Sequence, residues 1–186
     1  MHDVGLAAWF GGSLMGAIGV NGAANDVPDP RQRLRAANAG WGRWSPVNAA
    51  AIGAHLFGAV GLLRANRGRV AAQAGVGASS TVKSVLTGAA VAATAYSGAV
   101  AKKLAEAGEG DPGGGAAPVH GGAVPAPETP PAVAAQQQRL RLLQWLIPAL
   151  TGGVVVVSAL QGEQQRPAQQ AAGLVRKARR QAVAAA

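Results

Sequence analysis

Four stretches of this chain carry no charged residue. They run over Val4–Asn25, Ser45–Leu63, Ser84–Ala101 and Leu142–Gly162, lengths of 22, 19, 18 and 21 residues. A bilayer core of roughly 30 Å takes about 20 helical residues to cross. Charges and most prolines gather between these stretches. The pattern predicts an all-α integral membrane protein with four transmembrane helices packed through small residues. They are placed at about 4–24, 45–63, 84–101 and 142–162. A spanning strand would leave backbone groups unpaired in lipid, so the valine run 154–157 is assigned to a helix as well.

Composition supports this assignment. Only 13% of residues are charged, against roughly 25% in ordinary soluble domains. The chain is 49% hydrophobic but 4% aromatic, so a water-soluble core would have little bulk to bury. A net charge of +9 invites a nucleic-acid reading. The basic residues instead stand in short groups beside the uncharged runs, as membrane flanks do, and no nucleic-acid partner is expected. With no cysteine, disulfides and thiol chemistry are excluded.

The connections differ in character. Asp29-Pro30 caps a short helix through residues 31–39 that Gly40 should stop, and Ser45-Pro46 reads as a second helix start. Arg31, Arg33 and Arg35 are placed at lipid headgroups, and Trp41 and Trp44 at the membrane interface. Residues 105–138 hold six of the eleven prolines and seven glycines and are expected to be a disordered linker. The unit 139–186 then comprises the fourth helix and a basic tail. There Arg176, Lys177, Arg179 and Arg180 are assigned to anionic headgroups, with Leu174 and Val175 facing inward. The lysine and arginine count across the connections is nine against eight. The tail tips the orientation toward both ends cytoplasmic. Met1-His2-Asp3 lacks the basic region that opens a signal peptide, so the first run reads as a retained span. The third run holds seven alanines and four Val or Leu, and is expected to span by packing on its neighbours.

The glycines of HDVGLAAWFGGSLMGAIG raise a choice between a phosphate loop and a packing face. A phosphate loop needs Gly-Lys-Ser/Thr, and no lysine precedes Lys83. On a helix, Gly5, Ala8, Gly12, Gly16 and Gly19 share a face, and Gly12-x-x-x-Gly16 has the spacing of close membrane-helix contacts. Ala50, Ala54, Gly58 and Gly61 are the expected answering face on the second helix.

His55 falls within the second span, where an ionisable group marks a functional candidate. It can bond to Ser13, Asn48 or a carbonyl in the bundle, ligate a cofactor, or relay protons. His2, at the mouth of the first helix, is the second candidate. One histidine is a poor metal site, since zinc takes three or four ligands. His120 is assigned to the linker and solvent. No carboxylate lies inside a span, which counts against a cation-coupled transporter. Ser13 and Ser158 have no acid–base partner nearby in sequence, so no catalytic residue is assigned and no enzyme, metal or cofactor is expected.

His2, Trp9, Gly11 and Gly12 spell H-x6-W-x-G-G. This resembles the first helix of the copper-resistance D family and of related four-span bacterial membrane proteins, and implies a four-helix membrane unit. That family's further Met and His ligands have no counterpart, so copper transport does not carry over. The Ala-, Gly- and Arg-rich style resembles small membrane proteins of high-GC actinobacteria, which implies a bacterial cytoplasmic membrane. The expected function is a non-enzymatic accessory or structural subunit that associates with other membrane subunits or with itself in the lipid bilayer. Two alternatives stay open: a small-molecule or ion pathway through a homo-oligomer with His55 facing its centre, and a haem-binding electron-transfer subunit that pairs His55 with His2 or with a neighbour's His55.

Overall fold

The computed structural model describes residues 1–65, 76–108 and 116–163, together with 166, 175 and 181–183. Among the described residues, four helices are long and apolar enough to cross a membrane. Helix α1 covers His2–Asn25 and widens into a π-helical turn over Gly16–Val20. Helix α2 is Pro30–Ala65, α3 is Val76–Gly108 and α4 is Pro131–Glu163. Strands β1 (Val119–Gly121) and β2 (Val124–Pro125) pair antiparallel between α3 and α4. The headgroup residues Arg176, Lys177, Arg179 and Arg180, and Leu174 of the expected tail helix, lie outside the described residues; Val175 is exposed.

Helix α1 stands between α2 and α4, and α4 in turn packs on α3. Trp9, Ala51, Ala90, Ala93, Leu140, Leu143 and Ile147 form the middle of one core. Most of these side chains are small or branched, which lets the helices approach closely. The alanine-rich α3 buries Ala90, Ala93, Val100 and Leu104. Its principal support is α4, while α2 and α3 touch little.

Glycines along α1 set its distance from α2. A methyl group on Gly5 would strike the Ala51 carbonyl oxygen and come 2.7 Å from the His55 backbone nitrogen. One on Gly58 would come 2.7 Å from the backbone nitrogen of His2. These are backbone approaches. Gly12 and Gly16 serve differently: they seat the indoles of Trp44 and Trp41. Both tryptophans are half-buried and pack against α1. A side chain at Gly12 or Gly16 would occupy the space that the rings fill.

Helix α2 also starts earlier than expected. Asp29 does cap it: the Arg31 backbone N–H donates to Oδ1 at 3.0 Å and Gln32 Nε2 to Oδ2 at 3.1 Å. These two bonds hold the Asp29 carboxyl below its ordinary value. Gly40 does not stop the helix, because the Val20 side chain packs on it and tertiary contact outweighs glycine's cost of about 1 kcal/mol. Ser45 is no cap either. Its hydroxyl donates back to the Trp41 carbonyl at 2.9 Å, and Pro46 lies inside the helix. Pro46 and Gly42 face outward, where the donor missing from the proline disturbs no packed side.

The expected disordered linker is folded over residues 116–138. The hairpin buries Ala117, Val119 and Ala123 against α2, α4 and the C-terminal end of α1. Thr129 ties its base: its Oγ1 accepts from the Ala126 N–H at 2.8 Å and donates to the Pro118 carbonyl at 2.7 Å. From α4, Gln137 Nε2 donates to the Gly121 carbonyl at 2.8 Å. Pro131 occupies the first turn of α4, where its missing N–H costs nothing. The prolines and glycines here build turns, not slack.

Gly5→Ala and Gly58→Ala should each destabilise the bundle by about 1–3 kcal/mol, the cost of overpacking a filled interior. Gly11→Ala should be neutral, because nothing lies within 4 Å of that position. Thermal unfolding in mild detergent distinguishes the two classes; equal behaviour of all three would contradict the packing described. Gln137→Leu should detach the hairpin and speed limited proteolysis within residues 116–130.

Candidate functional site

The α1–α2 contact buries two histidines. His2, Gly5 and Trp9 recur at helical spacing on α1, and Ala51, His55 and Gly58 do so on α2. Because Gly5 and Gly58 lack side chains, His55 lies beside the first turn of α1 and His2 lies across α2. The imidazole centroids are 4.2 Å apart, tilted by 38°. His55 is 0% exposed and His2 is 5% exposed. Trp9, also fully buried, closes one side with its ring 6.2 Å from that of His55. Its Nε1 donates to Thr94 Oγ1 at 3.3 Å, and Thr94 donates in turn to the Ala90 carbonyl at 2.8 Å. Helix α3 therefore braces the site from behind.

The partners fix the tautomers. His55 Nδ1 lies 3.1 Å from the His2 carbonyl oxygen, and His2 Nδ1 lies 2.7 Å from Asp3 Oδ1. A carbonyl and a carboxylate only accept, so each Nδ1 carries the hydrogen. Both Nε2 atoms are buried without a hydrogen-bond partner. Orientation of a histidine by a carbonyl or carboxylate on the other nitrogen is the arrangement that readies it as a ligand or proton acceptor. The pair can accept hydrogen bonds, hold a proton, or supply two ligands to a transition metal. Among the described residues, no group of three or more His, Cys, Asp or Glu stands ready to hold a metal ion.

Two sequence-based alternatives meet this geometry. Imidazoles on opposite sides of a metal, each about 2 Å from it, hold their centroids about 6 Å apart. At 4.2 Å, His2 and His55 stand too close to flank a haem iron. His55 faces α1 inside the protomer.

A second polar cluster centres on Asn21, directly after the π-helical turn. Such turns recur at functional positions. Asn21 Nδ2 donates to Gln144 Oε1 at 2.8 Å and to the Ala17 carbonyl at 3.2 Å, and Trp41 Nε1 donates to Asn21 Oδ1 at 3.0 Å. One side chain thereby joins α1, α2 and α4. Sequence reasoning passed over Asn21 and Gln144. An amide at the end of one uncharged run and another at the start of a second was the available signal.

The remaining sequence candidates fall as follows. Ala8 packs against the core. Gly19 meets only Met15 of its own helix. Ala54 is half-buried, whereas Ala50 and Gly61 are exposed and take no part in the α1 contact. Arg31 and Arg35 are exposed. Arg33 is committed to carbonyls, with Nε donating to Val27 at 2.8 Å and Nη1 to His120 at 3.0 Å. The His120 side chain is exposed. Of the H-x6-W-x-G-G residues, His2 and Trp9 flank His55, Gly12 seats Trp44, and Gly11 faces open space.

No family model, no curated protein and no solved structure matches the chain.

Trp9→Ala should cost about 3–5 kcal/mol, as removal of a fully buried aromatic does. His55→Leu should cost about 1 kcal/mol or less, because one hydrogen bond is lost while a buried, unpartnered nitrogen is removed with it. Thermal unfolding in detergent compares the two. In 15N-histidine spectra both rings should show a protonated Nδ1; a bare Nδ1 on either ring would contradict the assignment.

Proposed function

We propose that this chain is a non-enzymatic, multi-pass protein of a bacterial cytoplasmic membrane. It works as a subunit, docked on another membrane protein or on a second copy through the outer face of α2. The observation that carries this reading is the asymmetry of burial. The apolar window of α2 is 6% buried within the chain, against 28% for α1 and 33% for α4. On its outward side Ala50, Gly53, Phe57 and Gly61 recur at helical spacing. Phe57 is 74% exposed, and nothing lies within 4 Å of a methyl group built on Gly53 or Gly61. Small residues flanking one bulky side chain on an unpartnered helix suit a second helix better than they suit lipid. The non-enzymatic assignment rests on the second span: the hydrogen bond of His55 goes to a backbone carbonyl, not to a serine or a carboxylate.

Purification from native membranes in mild detergent should yield either a dimer or a complex with a co-purifying membrane protein. Gly53→Ile together with Gly61→Ile should abolish that association and leave the thermal unfolding of the protomer unchanged. A monomer that co-purifies with nothing, or an association that survives the double substitution, would refute the docking edge.

A further inference from the structure

A cleft of about 170 Å³ lies between the last turns of α1, the hairpin and α4. Its walls include Ile18 and Asn25 of α1, Val124 of β2, and Arg141 and Trp145 of α4. The hydrogen-bonded pair Asn21 and Gln144 lines it as well. Asn25 rests against Gly121, so the hairpin steadies that wall. Arg141 and Asn25 are exposed, as are Ile18 at 58% and Trp145 at 52%. The cleft is therefore reached from outside the bundle. One cation lines it and no carboxylate does. Among the described residues, no acidic group forms a salt bridge with Arg141.

The uncharged run of α1 ends at Asn25, and that of α4 begins at Leu142, directly after Arg141. The cleft thus straddles the change from polar to apolar chain. Its polar rim carries a guanidinium without a counter-charge, and its apolar side carries the exposed surfaces of Ile18 and Trp145. A phospholipid presents the same order, with phosphate at the level where indoles gather and acyl chains beneath it. Arginine's planar fork meets two phosphate oxygens at once, and basic pockets between membrane helices take anionic headgroups in this way. A headgroup bearing an ammonium would find no carboxylate here to pair with, so the lining favours a lipid of net negative charge. A cavity of about 150 Å³ accommodates benzene, so this cleft takes about seven non-hydrogen atoms, a phosphate with its nearest linking carbons. We infer that the cleft is a binding site for one anionic phospholipid, with Arg141 on the phosphate and an acyl chain along Ile18 and Trp145. The inference rests on the four long helices spanning a bilayer and not on the docking of α2, and the histidine pair takes no part in it.

Native mass spectrometry of the full chain in mild detergent, titrated with dioleoyl phosphatidylglycerol, tests this. One phosphatidylglycerol should bind saturably, at least fivefold more tightly than dioleoyl phosphatidylcholine. Arg141→Gln should weaken it at least fivefold, as loss of one basic residue at an anionic surface does, and Arg141→Lys should weaken it less. Arg139→Gln removes the same charge from an exposed position that does not line the cleft and should leave binding unchanged. Gly22→Leu should abolish binding by filling the cleft, since Gly22 lines it and nothing lies within 4 Å of a methyl group built there. Glycerol 3-phosphate, which has the phosphate but no chains, should not displace the lipid at equal concentration; displacement would identify a site for free phosphate esters and overturn the lipid assignment. Equal binding of the two lipids, equal losses in Arg141→Gln and Arg139→Gln, or full binding in Gly22→Leu would overturn it too. If Gly22→Leu fails to fold, the two arginine variants decide. Release of the chain from carbonate-washed membranes would refute the spanning itself and is read separately.

Discussion

Two backbone approaches hold α1 against α2, and the interior takes its shape from them. At Gly5 the α2 backbone comes so near that a methyl group would meet the Ala51 carbonyl; at Gly58 the first turn of α1 does the same. Between apolar helices in lipid there is no hydrophobic gain, so attraction depends on packing and on hydrogen bonds that close distance permits. That distance is what brings His55 within reach of the His2 carbonyl. It also leaves the two rings enclosed together, with Trp9 and Thr94 behind them. Widening the contact by one methyl group would separate the histidines and break the bond that orients His55.

The same glycine spacing serves two ends along one helix. Gly5 admits a backbone, whereas Gly12 and Gly16 admit indole rings. The reason lies in the partner. Opposite Gly5, α2 presents Ala51 and a histidine aligned along the contact; opposite Gly12 and Gly16 it presents Trp44 and Trp41. Once the rings are inside, their N–H groups need acceptors. Trp41 finds Asn21, and Asn21 finds Gln144, so the large aromatics recruit a polar chain that binds a third helix. Trp44 finds no such partner, and the interior is left open beside it.

Much of this was legible in the sequence, and the failures share a cause. The four uncharged runs located the four long apolar helices because a sustained absence of charge is a property each helix carries on its own. Gly5 and Gly58 were legible as contact residues, and His55 as a buried ionisable group, because absence of charge and presence of a histidine are local facts. The face of α2 was not legible: Ala50 and Gly61 look like Ala51 and Gly58 in sequence, and only the partner helix decides the rotation. The glycine seats of the tryptophans were hidden for the same reason, since an indole near a helix start suits an interface or a glycine seat equally well. Residues 116–138 misled through composition. Proline and glycine deny a segment a core of its own, but Val119 and Ala123 need none when α2 and α4 supply it. Gly40 failed as a stop and Ser45-Pro46 as a start because the helix containing them is held from outside, by Val20 and by the indoles, and not by its own propensity.

The arrangement makes α2 the most divided element of the fold. Around its axis one side carries Ala51, His55 and Gly58 into α1, the next turns Trp44 and Asn48 inward, and the opposite side leaves Ala50, Gly53, Phe57 and Gly61 unmatched. Because α2 and α3 touch little, α2 is held chiefly by α1 and the hairpin, which leaves its outer face without a neighbour inside the chain.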